Sequence, residues 1–271
     1  MVKDFLQKII WKRGLLFFHH KESTVPDVPV NPLHDDLYIV SFPKSGTTWL
    51  CTIMTNIHLK MSSTKQSVSF FNMTDFIPDV NCGLRLKEKI LDFPGFRVIR
   101  AHSEYHPAYQ KVIYLVRDPR DVMVSYWWFR KHLGHFSGGL SEFIRSEAYG
   151  IDTWCRHVQG WVEKTPAMTS IDFVRYEDLR QDPLKAMNRI YTLLGYQLLQ
   201  TILEESLALS SFENMKKMEA YYNYGGNFRF PGFRFVRKGE AEAYHSEMSE
   251  HDVQFINQKA SRWLSLFQYG Q

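Results

Sequence analysis

Short apolar runs alternate along the chain with longer stretches in which apolar residues recur every three or four positions. Four runs predict buried strands: 37–40, 97–100, 112–116 and 171–174. Helical spacing is found at 50–54, 121–130, 151–163, 183–194 and in a stripe from Val253 to Phe267. Strands that alternate with helices indicate a mainly parallel sheet covered by helices on both faces. We therefore predict a single α/β domain.

Composition is compatible with one large folded domain. The chain has 271 residues, 44% of them hydrophobic and 15% aromatic, which is enough for a substantial core. A net charge of +4 allows a local basic pocket for a small polyanion but lacks the dense basic face of most nucleic-acid-binding proteins. The three cysteines have spacing that fits neither a metal site nor a disulfide framework, so we expect a reducing, cytoplasmic location.

Residues 1–36 are expected to form an N-terminal helix and a proline-rich, extended lead-in to a domain over 37–271. The apolar run 14–18 is far shorter than the roughly 20 residues of a membrane span. Basic and apolar residues alternate over 1–21, which also fits an interfacial helix. A helix packed on the domain is the interpretation that we favour.

The run Ser41–Trp49 is the strongest candidate for chemistry. It lies between the first predicted strand and a predicted helix, and a tight turn at that place aims backbone N–H groups at a phosphate. Lys44 adds a positive charge, Gly46 allows close approach of the backbone, and Thr47 and Thr48 add hydroxyl donors. The alternative is an ordinary strand-to-helix turn that happens to contain a lysine.

This run does not have the Walker A pattern of nucleoside triphosphatases. That pattern, G-x-x-x-x-G-K-[ST], has its lysine directly after the last glycine. In this chain Lys44 precedes Gly46, and Pro43 is part of the approach. The pattern therefore argues against a magnesium-dependent nucleotide kinase, which also needs an acidic residue at another strand end.

Two further segments add cations that suit phosphate. Arg117 follows the strand 112–116 directly, and Ser125 comes about two helical turns later, so a planar guanidinium and a hydroxyl could meet one anion. Alternatively, Arg117 only pairs with Asp118 or Asp121 at the start of its helix. The triplet Arg237-Lys238-Gly239 is a weak signal alone, because basic triplets on loops are mostly solvated.

Taken in chain order, these segments resemble the sulfotransferase family, in particular the cytosolic type that uses 3′-phosphoadenosine-5′-phosphosulfate (PAPS). The run 43–49 resembles its 5′-phosphosulfate loop, and 117–125 resembles its 3′-phosphate motif. Arg100-Ala101-His102 is similar to the segment with the catalytic histidine. The remaining matches are 176–179 and 210–212 on the adenine side and the F-x-R-K-G segment 235–239. The resemblance covers about 37 to 265 and implies a P-loop-kinase-like sulfotransferase fold.

The resemblance also implies a role for each matching residue. The 5′-phosphosulfate would be held by Lys44, Ser45, Gly46, Thr47 and Thr48, with Trp49 stacked on adenine. The 3′-phosphate would be held by Arg117, Ser125, Arg237, Lys238 and Gly239. The remaining cofactor-binding residues would be Tyr176, Ser210, Phe212 and Phe235. The catalytic group would be His102, Lys44 and Ser125.

The implied reaction is in-line transfer of a sulfuryl group from PAPS to a hydroxyl or amine of a small-molecule acceptor. His102 would take the acceptor's proton, and Lys44 would stabilise the leaving bisphosphate. His106 is the nearest rival for the base. We expect no metal, no nucleic-acid partner and no membrane span. A non-catalytic nucleotide-binding relative and a magnesium-dependent kinase are the alternative functions.

Two departures from the family's pattern affect these expectations. The family commonly has a second glycine three positions after Gly239, where this chain has Glu242, so added acidic residues could reshape the cover of the nucleotide. The family's dimer segment, K-x-x-x-T-V-x-x-x-E, is altered over 245–254, with Ser249 and Glu250 at its centre. We therefore predict a monomer or a dimer through a different face.

Overall fold

The structure is a computed structural model that describes residues 32–70, 72–80, 96–164, 169–221, 236, 237, 239 and 241–270. The predicted N-terminal helix lies outside these residues, as do two predicted site residues, Phe235 and Lys238. Within the described residues, no helix is both long enough and apolar enough to span a membrane.

Four parallel strands form the central sheet of the described residues. They are β1 (Leu37–Val40), β2 (Val98–Ala101), β3 (Lys111–Val116) and β4 (Ser170–Arg175). Their spatial order is β2-β1-β3-β4, and every neighbouring pair is parallel. Each predicted strand is confirmed, with ends that differ from the prediction by at most one residue.

Helices connect and cover the strands. In chain order the described residues contain α1 (Thr47–Met61), α2 (Met73–Phe76), α3 (Pro119–His132), α4 (Leu140–Ile144), α5 (Ile151–Glu163), α6 (Tyr176–Gln181), α7 (Pro183–Leu193), α8 (Gln200–Leu209), α9 (Phe212–Tyr221) and α10 (Glu250–Leu266), with a 3₁₀ turn at Ala243–Ser246. The helices predicted within the described residues are confirmed. α3 starts two residues earlier than predicted because the Asp118 side chain caps it, accepting a hydrogen bond from Arg120 N at 2.9 Å.

Two hydrophobic cores lie on opposite faces of the sheet. Alternate residues of β1 point to opposite faces, so Tyr38 and Val40 belong to one core and Leu37 and Ile39 to the other. The first core includes residues of α3, α5 and α10, and the second includes residues of α1, α7 and α8. Helices on both faces of a parallel sheet confirm the predicted single α/β domain.

The carboxyl ends of the four strands lie at one edge of the sheet because all four run in the same direction. Ser41 follows β1, His102 follows β2, Arg117 follows β3 and Tyr176 follows β4. The chain goes from β1 to β2 on one side, and β3 then pairs with β1 on the other. Such a reversal of strand order opens the crevice in which α/β sheets bind ligands.

The segment that departs from the family's pattern packs on the start of α3. Asp121 accepts hydrogen bonds from Glu242 N at 2.9 Å and Tyr244 N at 3.0 Å. The buried Tyr244 ring lies under the Arg120 guanidinium, 4.6 Å from its carbon. Glu242 has a φ of 59°, the left-handed conformation that favours glycine, and it occupies the position of the motif's second glycine. The exposed Glu242 thus keeps the backbone shape of the residue that it replaces.

Ser249 is the N-cap of α10 in this chain. Its Oγ accepts a hydrogen bond from Asp252 N at 3.2 Å and donates one to Asp252 Oδ2 at 2.8 Å. The oligomeric state stays a prediction.

The left-handed backbone of Glu242 leads to a prediction about stability. Glu242→Gly should raise the free energy of unfolding by about 0.5 to 1 kcal/mol, because removal of the β-carbon strain exceeds the entropy that glycine adds to the unfolded chain. Urea titration followed by circular dichroism measures the change. Glu242→Ala is the matched control, since it removes the carboxylate but keeps the β-carbon. An equal gain in both variants would show that charge, and not backbone strain, is responsible.

Candidate active site

The loop after β1 turns sharply through two left-handed residues. Lys44 has a φ of 73° and Gly46 a φ of 100°. Ser45 N closes the turn by donating to Phe42 O at 3.3 Å. A β-carbon on Gly46 would lie 2.5 Å from the Tyr176 ring, so glycine is required there both by conformation and by space.

The first turn of α1 presents uncapped N–H groups at this loop. Trp49 N and Leu50 N donate to Gly46 O, and among the described residues no side chain caps this end and no acidic residue lies in the first turn. The Ser45 hydroxyl is buried and has no hydrogen-bond partner within the described part of the chain. Helix N-termini and buried donors of this kind bind anions.

His102 points its Nδ1 at the end of β1. Nδ1 lies 2.8 Å from Ser41 O and 3.3 Å from Ser41 Oγ, and the Ser41 hydroxyl is also hydrogen-bonded to the Thr47 hydroxyl. A carbonyl oxygen can only accept, so Nδ1 carries the proton and Nε2 is the basic nitrogen of the neutral ring. The rival, His106, is exposed and uses its Nδ1 to accept from Ala108 N at 3.1 Å within its own turn.

Lys44 extends from the loop to the face of Phe129 in α3, where Nζ lies 4.6 Å from the ring centroid. Burial of the ammonium group, with help from the charge of Arg117, lowers the pKa of Lys44 from 10.5 to about 7, whereas Glu219 opposes this change. A lysine with this pKa changes its charge near neutral pH. An anion next to it favours the charged form.

Arg117 lies between the loop after β1 and the start of α3. Its guanidinium carbon is 4.4 Å from the centroid of the Tyr176 ring. Nη1 donates to Lys44 O and Nη2 to Asp121 Oδ2, both at 3.4 Å. Arg117 therefore pairs with Asp121, one of the two partners that the sequence allowed. The other, Asp118, pairs with Arg120 at 2.7 Å. The contact with Lys44 nevertheless joins Arg117 to the loop.

Trp49 and Ser210, which the resemblance assigns to the adenine, contact each other in the structure. Trp49 Nε1 donates to Ser210 O at 2.8 Å, and its ring meets Tyr176 edge-on with centroids 5.9 Å apart. The Ser210 hydroxyl donates to Ser206 O at 2.8 Å and accepts from Asn56 Nδ2 at 2.9 Å. In this structure Ser210 therefore orients Trp49 through its backbone, while its side chain bonds within the protein.

The basic triplet reaches the site through Gly239. Tyr176 OH donates to Gly239 O at 3.5 Å, and Gly239 has a φ of 65°. A β-carbon on Gly239 would lie 2.5 Å from the Phe212 ring, so an aromatic neighbour excludes a side chain at Gly239, as Tyr176 does at Gly46. Arg237 Nη1 donates to both carboxylate oxygens of Glu247, at 2.6 and 2.7 Å.

Among the described residues, two of the predicted site residues make no contact that joins them to the others. Ser125 lies on α3 beyond Arg117 with a partly exposed side chain, and Thr48 lies partly exposed in the first turn of α1. The remaining predicted residues that the structure describes form one connected group: Lys44, Ser45, Gly46, Thr47, Trp49, His102, Arg117, Tyr176, Ser210, Phe212, Arg237 and Gly239. The described residues contain no cluster of three or more potential metal ligands.

Sequence reasoning missed two polar residues beside the site, Glu219 and His157, and a second set of contacts made by Asp121. Asp121 joins Arg117 to the segment after Gly239, and the buried Glu219 accepts from Val236 N at 3.1 Å. His157, on α5, donates from Nε2 to His102 O at 3.2 Å. A histidine on the apolar face of a predicted helix was the available signal for His157, because such a group needs partners inside the fold.

The profile of the sulfotransferase domain family matches residues 34–268. Sulfotransferase 2A6 of Rattus norvegicus is 31% identical over 224 residues, which are 76% of this chain and 76% of that protein.

Two solved structures have a similar fold. A retinol dehydratase in complex with androsterone and the inactive cofactor PAP aligns with a TM-score of 0.65 and 19% identity, over 86% of this chain and 82% of that protein. Mouse sulfotransferase SULT7A1 complexed with PAP aligns with a TM-score of 0.62 and 19% identity, over 86% of this chain and 84% of that protein. These two likenesses agree with the predicted fold. The extent of the family match and the identity to the rat relative show more: the chain belongs to the PAPS-dependent sulfotransferase family.

Proposed function

We propose that this chain transfers the sulfuryl group of PAPS to a hydroxyl or amine of a small-molecule acceptor, with His102 as the base and Lys44 at the leaving group. The observation that carries the proposal is the hydrogen bond from His102 Nδ1 to Ser41 O. It turns the basic Nε2 into a proton acceptor at the same edge of the sheet as the phosphate-binding loop.

The residues of the loop fit an anionic nucleotide. Within the described residues the start of α1 has no side-chain cap and the Ser45 hydroxyl has no partner, and together with the charge of Lys44 these groups suit the 5′-phosphosulfate. We assign the 3′-phosphate to Arg117, Ser125 and the triplet Arg237-Lys238-Gly239, and the adenine to Trp49, Tyr176, Ser210, Phe212 and Phe235. When bound, PAPS supplies the activated sulfuryl group.

The chain's own residues then perform two tasks. His102 takes a proton at Nε2 from the acceptor hydroxyl or amine, which makes that group more nucleophilic. Lys44 holds positive charge beside the leaving phosphate, and it does so without reorganisation because the loop fixes its backbone. Ser125 is assigned a supporting role in the same catalytic group. No covalent enzyme intermediate is needed.

The acceptor side contains aromatic rings next to the reacting groups. Phe129 lies under Lys44 and packs on the first core, in which Phe42 and Tyr126 are buried and meet edge-on with centroids 5.7 Å apart. Aromatic walls with few polar groups bind the apolar body of a small molecule.

Cytoplasmic location and a monomer, or a dimer through a non-standard face, stay predictions. The described cysteines, Cys51 and Cys155, are free, and burial raises the pKa of each thiol to about 12. Thiols of this kind are weak nucleophiles at neutral pH.

Replacement of the proposed base tests its role. His102→Ala should lower kcat by about a hundredfold or more while adenosine 3′,5′-bisphosphate binds as tightly as to the wild type, because the variant loses the proton acceptor but keeps the loop. Single-turnover kinetics with labelled PAPS and titration calorimetry measure the two quantities. His106→Ala is the control and should keep its activity. Full activity of His102→Ala would overturn the assignment.

Ligand-induced stabilisation separates the three functional classes. Adenosine 3′,5′-bisphosphate should raise the Tm without any metal, and ATP with Mg²⁺ should raise it less, because the site binds phosphates at both ends of one nucleoside. A preference for ATP with Mg²⁺ would favour the kinase. Nucleotide binding without turnover across a broad panel of hydroxyl and amine acceptors would favour the non-catalytic relative.

The lowered pKa of Lys44 predicts a pH dependence of nucleotide affinity. The unliganded lysine loses its proton as pH rises through about 7, so an anionic ligand must bring the proton back. The Kd for adenosine 3′,5′-bisphosphate should therefore rise about tenfold between pH 6.5 and 8.5. Lys44→Arg keeps its charge and should lack most of this rise. The ligand's own protonation affects the wild type and Lys44→Arg equally. If Kd depends on pH in the same way for both proteins, Lys44 is not the cause.

A further inference from the structure

His157 lies next to the main chain of His102, on the buried face of α5. It is 4% exposed, and both nitrogens of its ring have partners inside the protein. Nδ1 lies 2.7 Å from Tyr114 OH on β3, and Nε2 lies 3.2 Å from His102 O at the end of β2. The ring thus connects two neighbouring segments of the sheet edge from the helix that covers them.

The chemistry of these partners fixes the direction of both hydrogen bonds. His102 O can only accept, so His157 Nε2 must carry a proton. Burial lowers the pKa of His157 to about 3 and raises the pKa of Tyr114, so the imidazole and the phenol are both neutral. In a neutral ring Nδ1 accepts, and Tyr114 OH is its donor. A chain of donors therefore runs from Tyr114 through His157 to the backbone of His102.

The surroundings hold His157 in this orientation. The edge of the Phe42 ring meets the imidazole nearly at a right angle, with centroids 5.7 Å apart and an interplanar angle of 85°. Trp161, one helical turn later on α5, donates from Nε1 to Ser103 O at 3.2 Å. α5 therefore holds the carbonyls of two successive residues, His102 and Ser103.

His102 is consequently fixed from two directions. Its ring is held by Ser41 O at the end of β1, and its main chain is held by His157 from α5. Without the contact to Ser41 O the ring of His102 could rotate, and without the contact to His157 the end of β2 could shift. The position of Nε2 relative to an acceptor depends on both.

We propose that His157 is a positioning residue for sulfuryl transfer, which fixes the main chain of His102 through its Nε2–H and so places the proton-accepting nitrogen against the acceptor. Tyr114 serves the same purpose by selecting the tautomer of His157 that can donate to His102 O. The inference rests on the proposed role of His102 as the base.

Two amide variants of His157 test the proposal. Glutamine can place its amide nitrogen where Nε2 of histidine lies, whereas the shorter asparagine reaches only the position of Nδ1. His157→Asn should lower kcat by about tenfold to a hundredfold, because displacement of a reacting group by a fraction of an ångström costs that much. His157→Gln should keep kcat within about threefold of the wild type. The Kd for adenosine 3′,5′-bisphosphate should be unchanged in both variants.

A purely structural role predicts a different result. In that case His157→Asn would lower the Tm, but its folded molecules would keep the wild-type kcat. The folded fraction is measured by active-site titration with the bisphosphate. That result would overturn the proposal. Equal losses of kcat in the Asn and Gln variants overturn it as well. Tyr114→Phe keeps the ring and loses one hydroxyl, so it tests the same chain of donors if the His157 variants fail to fold. We expect kcat to fall about threefold to tenfold, and an unchanged kcat contradicts the inference.

The His102→Ala variant distinguishes failure of this inference from failure of the proposed function. If His102 is not the base, His102→Ala stays active whatever the His157 variants do. If it is the base, addition of His157→Asn to His102→Ala should leave the small residual rate within about twofold, because there is no longer an imidazole to position. A further tenfold loss in the double variant would show that His157 acts independently of His102.

Discussion

The packing of the Tyr176 ring is the interaction on which the site depends. One edge of the ring occupies the space that a side chain at Gly46 would need, and the Arg117 guanidinium lies over the ring. Trp49 meets the ring edge-on, and the hydroxyl donates to Gly239 O. Three segments that are distant in sequence, namely the loop before α1 with the start of that helix, Arg117 and Gly239, thus share one buried side chain. A change in the position of this ring displaces all of them together.

Charge is the second constraint on this edge of the sheet. Burial lowers the pKa of Lys44, and the charges of Arg117 and Arg237 lower it further, while Glu219 opposes this change. Asp121 compensates part of the charge of Arg117. The unliganded site therefore retains repulsion between cations that an anionic nucleotide removes. A nucleotide bound as proposed would gain from relief of this repulsion and from the preformed loop, in which Lys44 and Gly46 have positive φ values without any ligand.

Much of the fold could be predicted because its strands are short apolar runs and its helices have regular spacing. The location of the site followed as well, since residues such as His102 and Arg117 come directly after predicted strands and parallel strands end at one edge. His157 could not be placed in this way, because it meets His102 only through packing of α5 on the sheet, 55 residues away in sequence. The backbone of Glu242 could not be predicted either, because its left-handed conformation depends on the hydrogen bond from Glu242 N to Asp121, a residue 121 positions away in sequence.

The pair between Arg237 and Glu247 has a consequence for turnover. Because Arg237 already has a carboxylate partner, a phosphate that arrives at this residue gains only the difference between two ion pairs. Under the proposed assignment of the 3′-phosphate to Arg237, Glu247 would compete with the phosphate for the guanidinium and would pair with it again after the product leaves. An enzyme that releases a doubly phosphorylated nucleoside after every cycle would then contain its own competitor for that product. On this assignment the carboxylate would lower the affinity for the product and favour its release.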